Sequence, residues 1–315
     1  MTALKVGSES WWQSKHGPEW QRLNDEMFEV TFWWRDPQGS EEYSTIKRVW
    51  IYITGVTDHH QNSQPQSMQR IAGTDVWQWT TQLNANWRGS YCFIPTERDD
   101  IFSAPSPDRL ELREGWRKLL PQAIADPLNP QSWKGGRGHA VSALEMPQAP
   151  EIAAKEIIWK SERLKNSRRV WIFTTGDVTA EERPLAVLLD GEFWAQSMPV
   201  WPVLTSLTHR QQLPPAVYVL IDAIDTTHRA HELPCNANFW LAVQQELLPL
   251  VKAIAPFSDR GDRTVVAGQS FGGLSALYAG LHWPERFGCV LSQSGSYWWP
   301  HRGGQQEGGL LEKLK

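Results

Sequence analysis

The sequence predicts an α/β protein in two parts: an N-terminal β-sandwich, then a doubly wound, largely parallel sheet. Three observations predict it. Up to about residue 140, short β-branched and aromatic runs alternate with polar turns, without a long helical period between them. Beyond residue 151, near-continuous apolar runs alternate with helical patterns, as in strands covered on both faces. Between the two lies a stretch dense in Pro, Gly and Asn. At 315 residues the chain has room for two domains of ordinary size, placed here at 1–145 and 151–315.

The expected N-terminal strands are Phe28–Trp34, Ile46–Ile53, Val76–Leu83 and Gly89–Ile94. In the third, Trp77, Trp79 and Thr81 fall on one face and Gln78, Thr80 and Gln82 on the other, the period of a half-buried strand. Gln61–Gln69 is polar and reads as a loop. Asp126–Gly138 (DPLNPQSWKGGRG) and Pro147–Pro150 bracket the expected linker. After it, Ile157–Trp159 and Val170–Phe173 read as neighbouring strands joined by a charged turn. Leu185–Leu189, Val217–Ile221, Thr264–Ala267 and Cys289–Leu291 have parallel-strand character. Asn238–Ala255 carries Phe239, Trp240, Val243, Leu247, Leu250, Val251 and Ile254 on a helical period.

Composition narrows the function. A hydrophobic fraction of 41% and a charged fraction of 21% are globular values, and a net charge of −4 gives no chain-wide basic footprint for nucleic acid. The N-terminus lacks a basic segment followed by an apolar one, and no apolar run reaches the ~18 residues of a membrane span. Cys92, Cys235 and Cys289 lie far apart without metal or disulfide spacing and read as small buried side chains. These features predict a soluble cytoplasmic protein with neither nucleic-acid nor membrane partner. Nineteen tryptophans exceed what a core needs. Most are expected to pack cores, yet indole faces also suit planar aromatic or sugar-like ligands.

The chemical signal is Gly268-Gln269-Ser270-Phe271-Gly272, a G-x-S-x-G. Alone it is weak: with Gly near 7% of residues, such a match arises by chance in roughly one chain of this length in ten. Its setting strengthens it, because it follows the strand Arg263–Ala267 and opens the apolar helix Leu274–Leu281. Strand, sharp turn and helix make the nucleophile elbow of an α/β-hydrolase domain. Ser270 must sit at a strained position that lifts its hydroxyl above the sheet, and Gly268 and Gly272 let strand and helix approach. The N–H of Phe271 is one expected oxyanion donor. The second comes from a loop after an earlier strand, where Gly191 follows Leu185–Leu189. Asp190 reads as a residue that orients that loop.

A serine nucleophile needs a base. His282 lies about three turns along the helix that Ser270 opens and points away from Oγ. His301 follows the loop Ser294–Pro300. His209, His228 and His231 precede the nucleophile, out of the chain order Ser, acid, His. The expectation is a hydrolase domain incomplete at its C-terminus, with acid and base beyond residue 315.

Together these residues resemble the enterochelin (enterobactin) esterases along nearly the whole chain. The carriers are Asp126–Pro130, LLDGEFW at Leu188–Trp194, Arg229–Leu233, Glu246–Pro249, AGQSFGG at Ala267–Gly273, and HWPERFG followed by LSQSGSYWW. The resemblance implies a cytoplasmic serine esterase that hydrolyses the trilactone of a catecholate siderophore, free or ferric, for iron release. It implies Ser270 as nucleophile and Phe271 and Gly191 as oxyanion donors, without metal or cofactor in the chemistry. Its substrate, an anionic iron chelate with aromatic faces, suits Arg229, Trp194 and Trp298, all on loops at the C-terminal edge of the sheet. Two other readings compete. A carbohydrate esterase of feruloyl or acetyl-xylan type fits the same motifs but acts outside the cell. A non-catalytic ligand-binding fragment fits the absent base.

Overall fold

The computed structural model describes residues 4–61, 64–102, 108–135, 138–151, 154–176, 183–301 and 310. They group into two compact units. One is Met1–Glu151 with Gln196–Met198, the other Ile152–Ala195 with Pro199–Lys315.

The first unit holds two four-stranded antiparallel sheets. One runs β1 (Glu19–Arg22), β2 (Met27–Arg35), β5 (Val76–Asn84), β4 (Gln69–Arg70). The other runs β3 (Arg48–Ile53), β6 (Arg88–Thr96), β8 (Ala140–Glu145), β7 (Ser132–Lys134). Alternation along the strands builds the core between them. Phe28, Val30, Phe32 and Trp34 of β2 pack with Val49, Ile51 and Ile53 of β3 and with Tyr91 and Phe93 of β6. Each such side chain, once fully buried, contributes about 1.5–3 kcal/mol. The alternate residues Trp50, Tyr52, Cys92 and Ile94 form a second cluster with Trp116 and Leu119.

Besides β1, β4 and a short helix α1 (Glu9–Gln13), which the sequence reading did not expect, two larger features depart from it. Trp116 and Leu119 belong to a helix, α2 (Arg109–Leu119), where none was expected. Its face is marked by buried Leu112, Trp116 and Leu119, and Asp108 and Glu111 close a capping box at its start. The expected linker region also contains β7 and β8, which extend the sheet from β6. Of that stretch, Gly136 and Arg137 lie outside the described residues.

The second unit is a six-stranded sheet in the order β14 (Cys289–Gln293), β13 (Thr264–Gln269), β11 (Leu185–Leu189), β12 (Val217–Ile221), β10 (Asn166–Thr174), β9 (Lys155–Ser161). The first four are mutually parallel, and β10 and β9 add an antiparallel hairpin at one edge. Both faces are covered. Val187, Leu189, Val219, Ile221 and Val266 face the helical run 237–254 and α7 (Phe271–His282). Ala186, Leu188, Tyr218 and Leu220 face Trp201 and Leu204 of α3 (Trp201–His209). The run 237–254 consists of α5 (Ala237–Ala242), a π-turn over Val243–Leu247 and α6 (Leu248–Ile254). The π-turn runs up to Pro249, whose missing N–H interrupts regular helix pairing.

Candidate active site

Ser270 stands between β13 and α7 at φ 58°, ψ −117°, a backbone region that side-chain-bearing residues rarely adopt. Such strain costs on the order of 1–3 kcal/mol and persists only where its surroundings impose it. Here the surroundings are visible. The Ser270 N–H donates to Gln293 O at 3.0 Å, and Ser270 O accepts from the N–H of Ser296 at 3.1 Å. Of the two glycines, Gly268 acts as the sequence suggested, since a Cβ there would lie 2.3 Å from the carbonyl carbon and oxygen of Gly272, whereas a Cβ on Gly272 would make only ordinary contacts. Ser270 is half-buried. Phe271 opens α7, so its N–H has no intrahelical acceptor.

The loop after β11 lies alongside. Asp190 also adopts a positive φ, 58°, and its Oδ2 would be 3.4 Å from a Cβ on Gly272. Gly191 is pressed against β12, where a Cβ would come within 2.5 Å of Ile221 N. This glycine is therefore required by close backbone approach. Arg229 lies on a helix, α4 (Thr226–Glu232), and not on the expected loop, because Asp225 caps a helical turn there, and its side chain reaches across to the Gly191 loop. Its Nε and Nη2 donate to Asp190 Oδ1 and Oδ2 at 2.6 and 2.8 Å, and Nη2 also donates to Gln269 O at 3.1 Å. One guanidinium thus ties the Gly191 loop to the residue before Ser270. Burial opposes its charge, but the Coulombic pull and hydrogen bonds of Asp190 outweigh it and hold the guanidinium above its ordinary value.

Glu232 lies one turn from Arg229 on α4 but does not pair with it. The structure gives Glu232 to Arg168 at 2.6 Å, with both side chains buried. Arg229 and Trp298 meet around Phe271: the guanidinium carbon lies 5.8 Å from its ring centre, and the Trp298 ring lies 5.8 Å away on a tilt. Trp298 is 42% exposed beside the elbow. Trp194 is half-buried, edge-on to Phe193 at 4.8 Å, and packs against the cluster of Trp171, Phe173 and Trp201.

Among the described residues, the hydroxyl partner of Ser270 is Ser296, and no histidine occupies that place. His282 Nδ1 bonds Tyr278 O at 2.9 Å and its ring stacks on Tyr278. His228 pairs with Asp225 at the start of α4. A cavity of about 520 Å³ lies at the opposite, N-terminal edge of the parallel strands, lined in part by Gly176, Thr208, His209 and Pro215. None of the site residues borders it. Cys92 and Cys235 are buried, and burial pushes the Cys92 thiol up to about 12. Cys289 is only partly buried, unlike the expectation. Among the described residues no His, Cys, Asp and Glu cluster is arranged to hold a metal, and no helix is long and apolar enough to cross a membrane.

A strained serine between a parallel strand and a helix, on a sheet covered by helices, defines the α/β-hydrolase class. Comparison with known proteins carries this further. The chain matches the family model described as enterochelin esterase, N-terminal, over residues 29–155, and an esterase family model over residues 161–314. It is 94% identical over 326 residues to the iron(III) enterobactin esterase of Escherichia coli strain K12, covering 100% of this chain and 82% of that protein. It is 48% identical over 328 residues to the iron(III) enterobactin esterase of Dickeya dadantii, covering 96% of this chain and 74% of that protein. A crystal structure of the Shigella flexneri enterobactin esterase in the presence of enterobactin matches with a TM-score of 0.63 at 91% identity, covering 99% of this chain and 82% of the other. The chain belongs to the enterochelin esterase family.

Proposed function

We propose that this protein is a serine esterase that hydrolyses the trilactone ester bonds of a catecholate siderophore, so that its iron is released in the cytoplasm. In this reading residues 1–145 form the β-sandwich domain and residues 151–315 the α/β-hydrolase domain that carries Ser270 and its oxyanion donors. The observation that carries it is the strained, partly exposed Ser270 at the N-terminus of α7, supported by 94% identity to an iron(III) enterobactin esterase. Ser270 Oγ attacks a lactone carbonyl while a histidine base takes the hydroxyl proton. The N–H groups of Phe271 and Gly191 hold the resulting oxyanion. Collapse breaks the ester C–O bond, the leaving seryl oxygen takes the proton, and water then hydrolyses the acyl-enzyme. Arg229 keeps Nη1 for an anionic catecholate, since Asp190 and Gln269 engage Nε and Nη2. Trp298 offers an aromatic face beside it, and Trp194 completes the wall.

The experiment measures hydrolysis of the trilactone by wild type and by Ser270→Ala, with a feruloyl ester as rival substrate. The proposal requires the variant to lose turnover while unfolding at the wild-type temperature, and the trilactone to be the faster substrate. Full activity in Ser270→Ala, or preference for the feruloyl ester, contradicts it.

A further inference from the structure

The elbow has a second hydroxyl. Ser296 lies in the turn after β14, 26 residues from the nucleophile, and is only 3% exposed. Its Oγ is 3.1 Å from Ser270 Oγ, and among the described residues that is its side-chain partner. Its N–H donates to Ser270 O, and Gln293 O accepts the Ser270 N–H. The turn 293–296 therefore holds residue 270 at its N–H, its carbonyl and its hydroxyl. The neighbouring chain is packed to leave little freedom. Ser292 Oγ donates to Gly273 O at 2.8 Å, and a Cβ on Gly273 would lie 3.0 Å from Gln293 O.

We propose that Ser296 is a positioning residue for the nucleophile: its buried hydroxyl sets the Ser270 side-chain rotamer and donates to Oγ as that oxygen loses its proton. The proposal rests on the esterase reading above and adds a residue to it. Two backbone hydrogen bonds already hold the loop, so the Ser296 hydroxyl is not needed for the turn. A buried hydroxyl that donates to Ser270 Oγ leaves the Ser270 proton directed at the base. As charge develops on Oγ, the bond becomes charge-assisted and roughly twice as strong as a neutral one. An interaction stronger in the transition state than in the ground state raises kcat and leaves substrate binding alone.

The test compares wild type, Ser296→Ala and Ser296→Cys in the protein as the cell makes it. It reads kcat and KM on the trilactone and the rate of labelling by a fluorophosphonate probe. Ser296→Ala is expected to lower kcat and the labelling rate by roughly three- to tenfold, the scale of one lost hydrogen bond, with KM within about twofold. Ser296→Cys, a weak donor of similar size, should fall between the two. In a Ser270→Ala background, Ser296→Ala should change residual hydrolysis no further, because the two hydroxyls act as one unit. Unchanged kcat and labelling in Ser296→Ala, with Ser270→Ala inactive, overturn the inference and leave the esterase reading standing. Turnover surviving in Ser270→Ala overturns the esterase reading itself. If Ser296→Ala does not fold, Ser296→Cys decides: a fall in kcat at constant KM supports the inference, and wild-type kcat overturns it.

Discussion

Replacing Arg229 by Met removes the guanidinium and keeps most of the apolar stem. Three hydrogen bonds are lost, two to Asp190 and one to Gln269 O. The Arg229 and Asp190 side chains are 15% and 20% exposed. Breaking a buried pair costs about 3–5 kcal/mol because a charge is left unpaired. Water reaches part of this carboxylate, so the expected loss is about 2–3 kcal/mol. Asp190→Asn is the matching variant, since Asn tolerates the positive φ of this position while removing the charge. Urea unfolding of the wild type, both single variants and the double variant closes the cycle, and the expected coupling is about 1.5–2 kcal/mol. A coupling below about 0.5 kcal/mol, the scale of an exposed pair, would refute the clamp.

Three further predictions follow from the same geometry. Gly268→Ala places a Cβ 2.3 Å from the Gly272 backbone. It should destabilise by about 1–3 kcal/mol and abolish turnover, checked by thermal unfolding and kinetics. Trp298→Ala removes the ring beside Phe271 and should raise KM about two- to tenfold with kcat nearly unchanged, on an aromatic contact of about 0.5–1.5 kcal/mol. Burial raises the Asp126 carboxyl above its ordinary 3.8 against the opposing hydrogen bond from Tyr91. The unfolded chain thus binds fewer protons than the folded one in the window from about 3.8 upward, so this group makes stability fall as pH rises through it. Asp126→Asn should flatten that slope in unfolding curves taken across the window.

The parallel strands were legible because each is a short apolar run ended by a turn. Leu185–Leu189 and Val217–Ile221 have the predicted bounds. The elbow was legible because backbone sterics demand glycine at 268, and the structure shows the close approach that demands it. α2 was missed although its signals were present. Its apolar residues are few, and charged neighbours mask their spacing. β8 sits next to a Pro- and Gly-rich stretch and pairs with β6, remote in sequence, and β7, inside that stretch, pairs in turn with β8, so neither strand had a local signal. The same remoteness explains Arg229. Glu232 sits one turn away on the same helix, but each side chain leaves it: Arg229 finds Asp190, 39 residues back, and Glu232 finds Arg168. Ser296 carried no sequence signal either, since a serine 26 residues downstream of a nucleophile has no local spacing to mark it.

The most direct test of the nucleophile is its covalent intermediate. Trilactone turnover is quenched in acid, the protein is digested, and the peptides are mapped by mass spectrometry. The account predicts an acyl group derived from the opened trilactone, one or more linked catecholoyl-serine units long, on the peptide containing Ser270 and absent from Ser270→Ala. An adduct on another residue, or turnover in Ser270→Ala with none on that peptide, contradicts it.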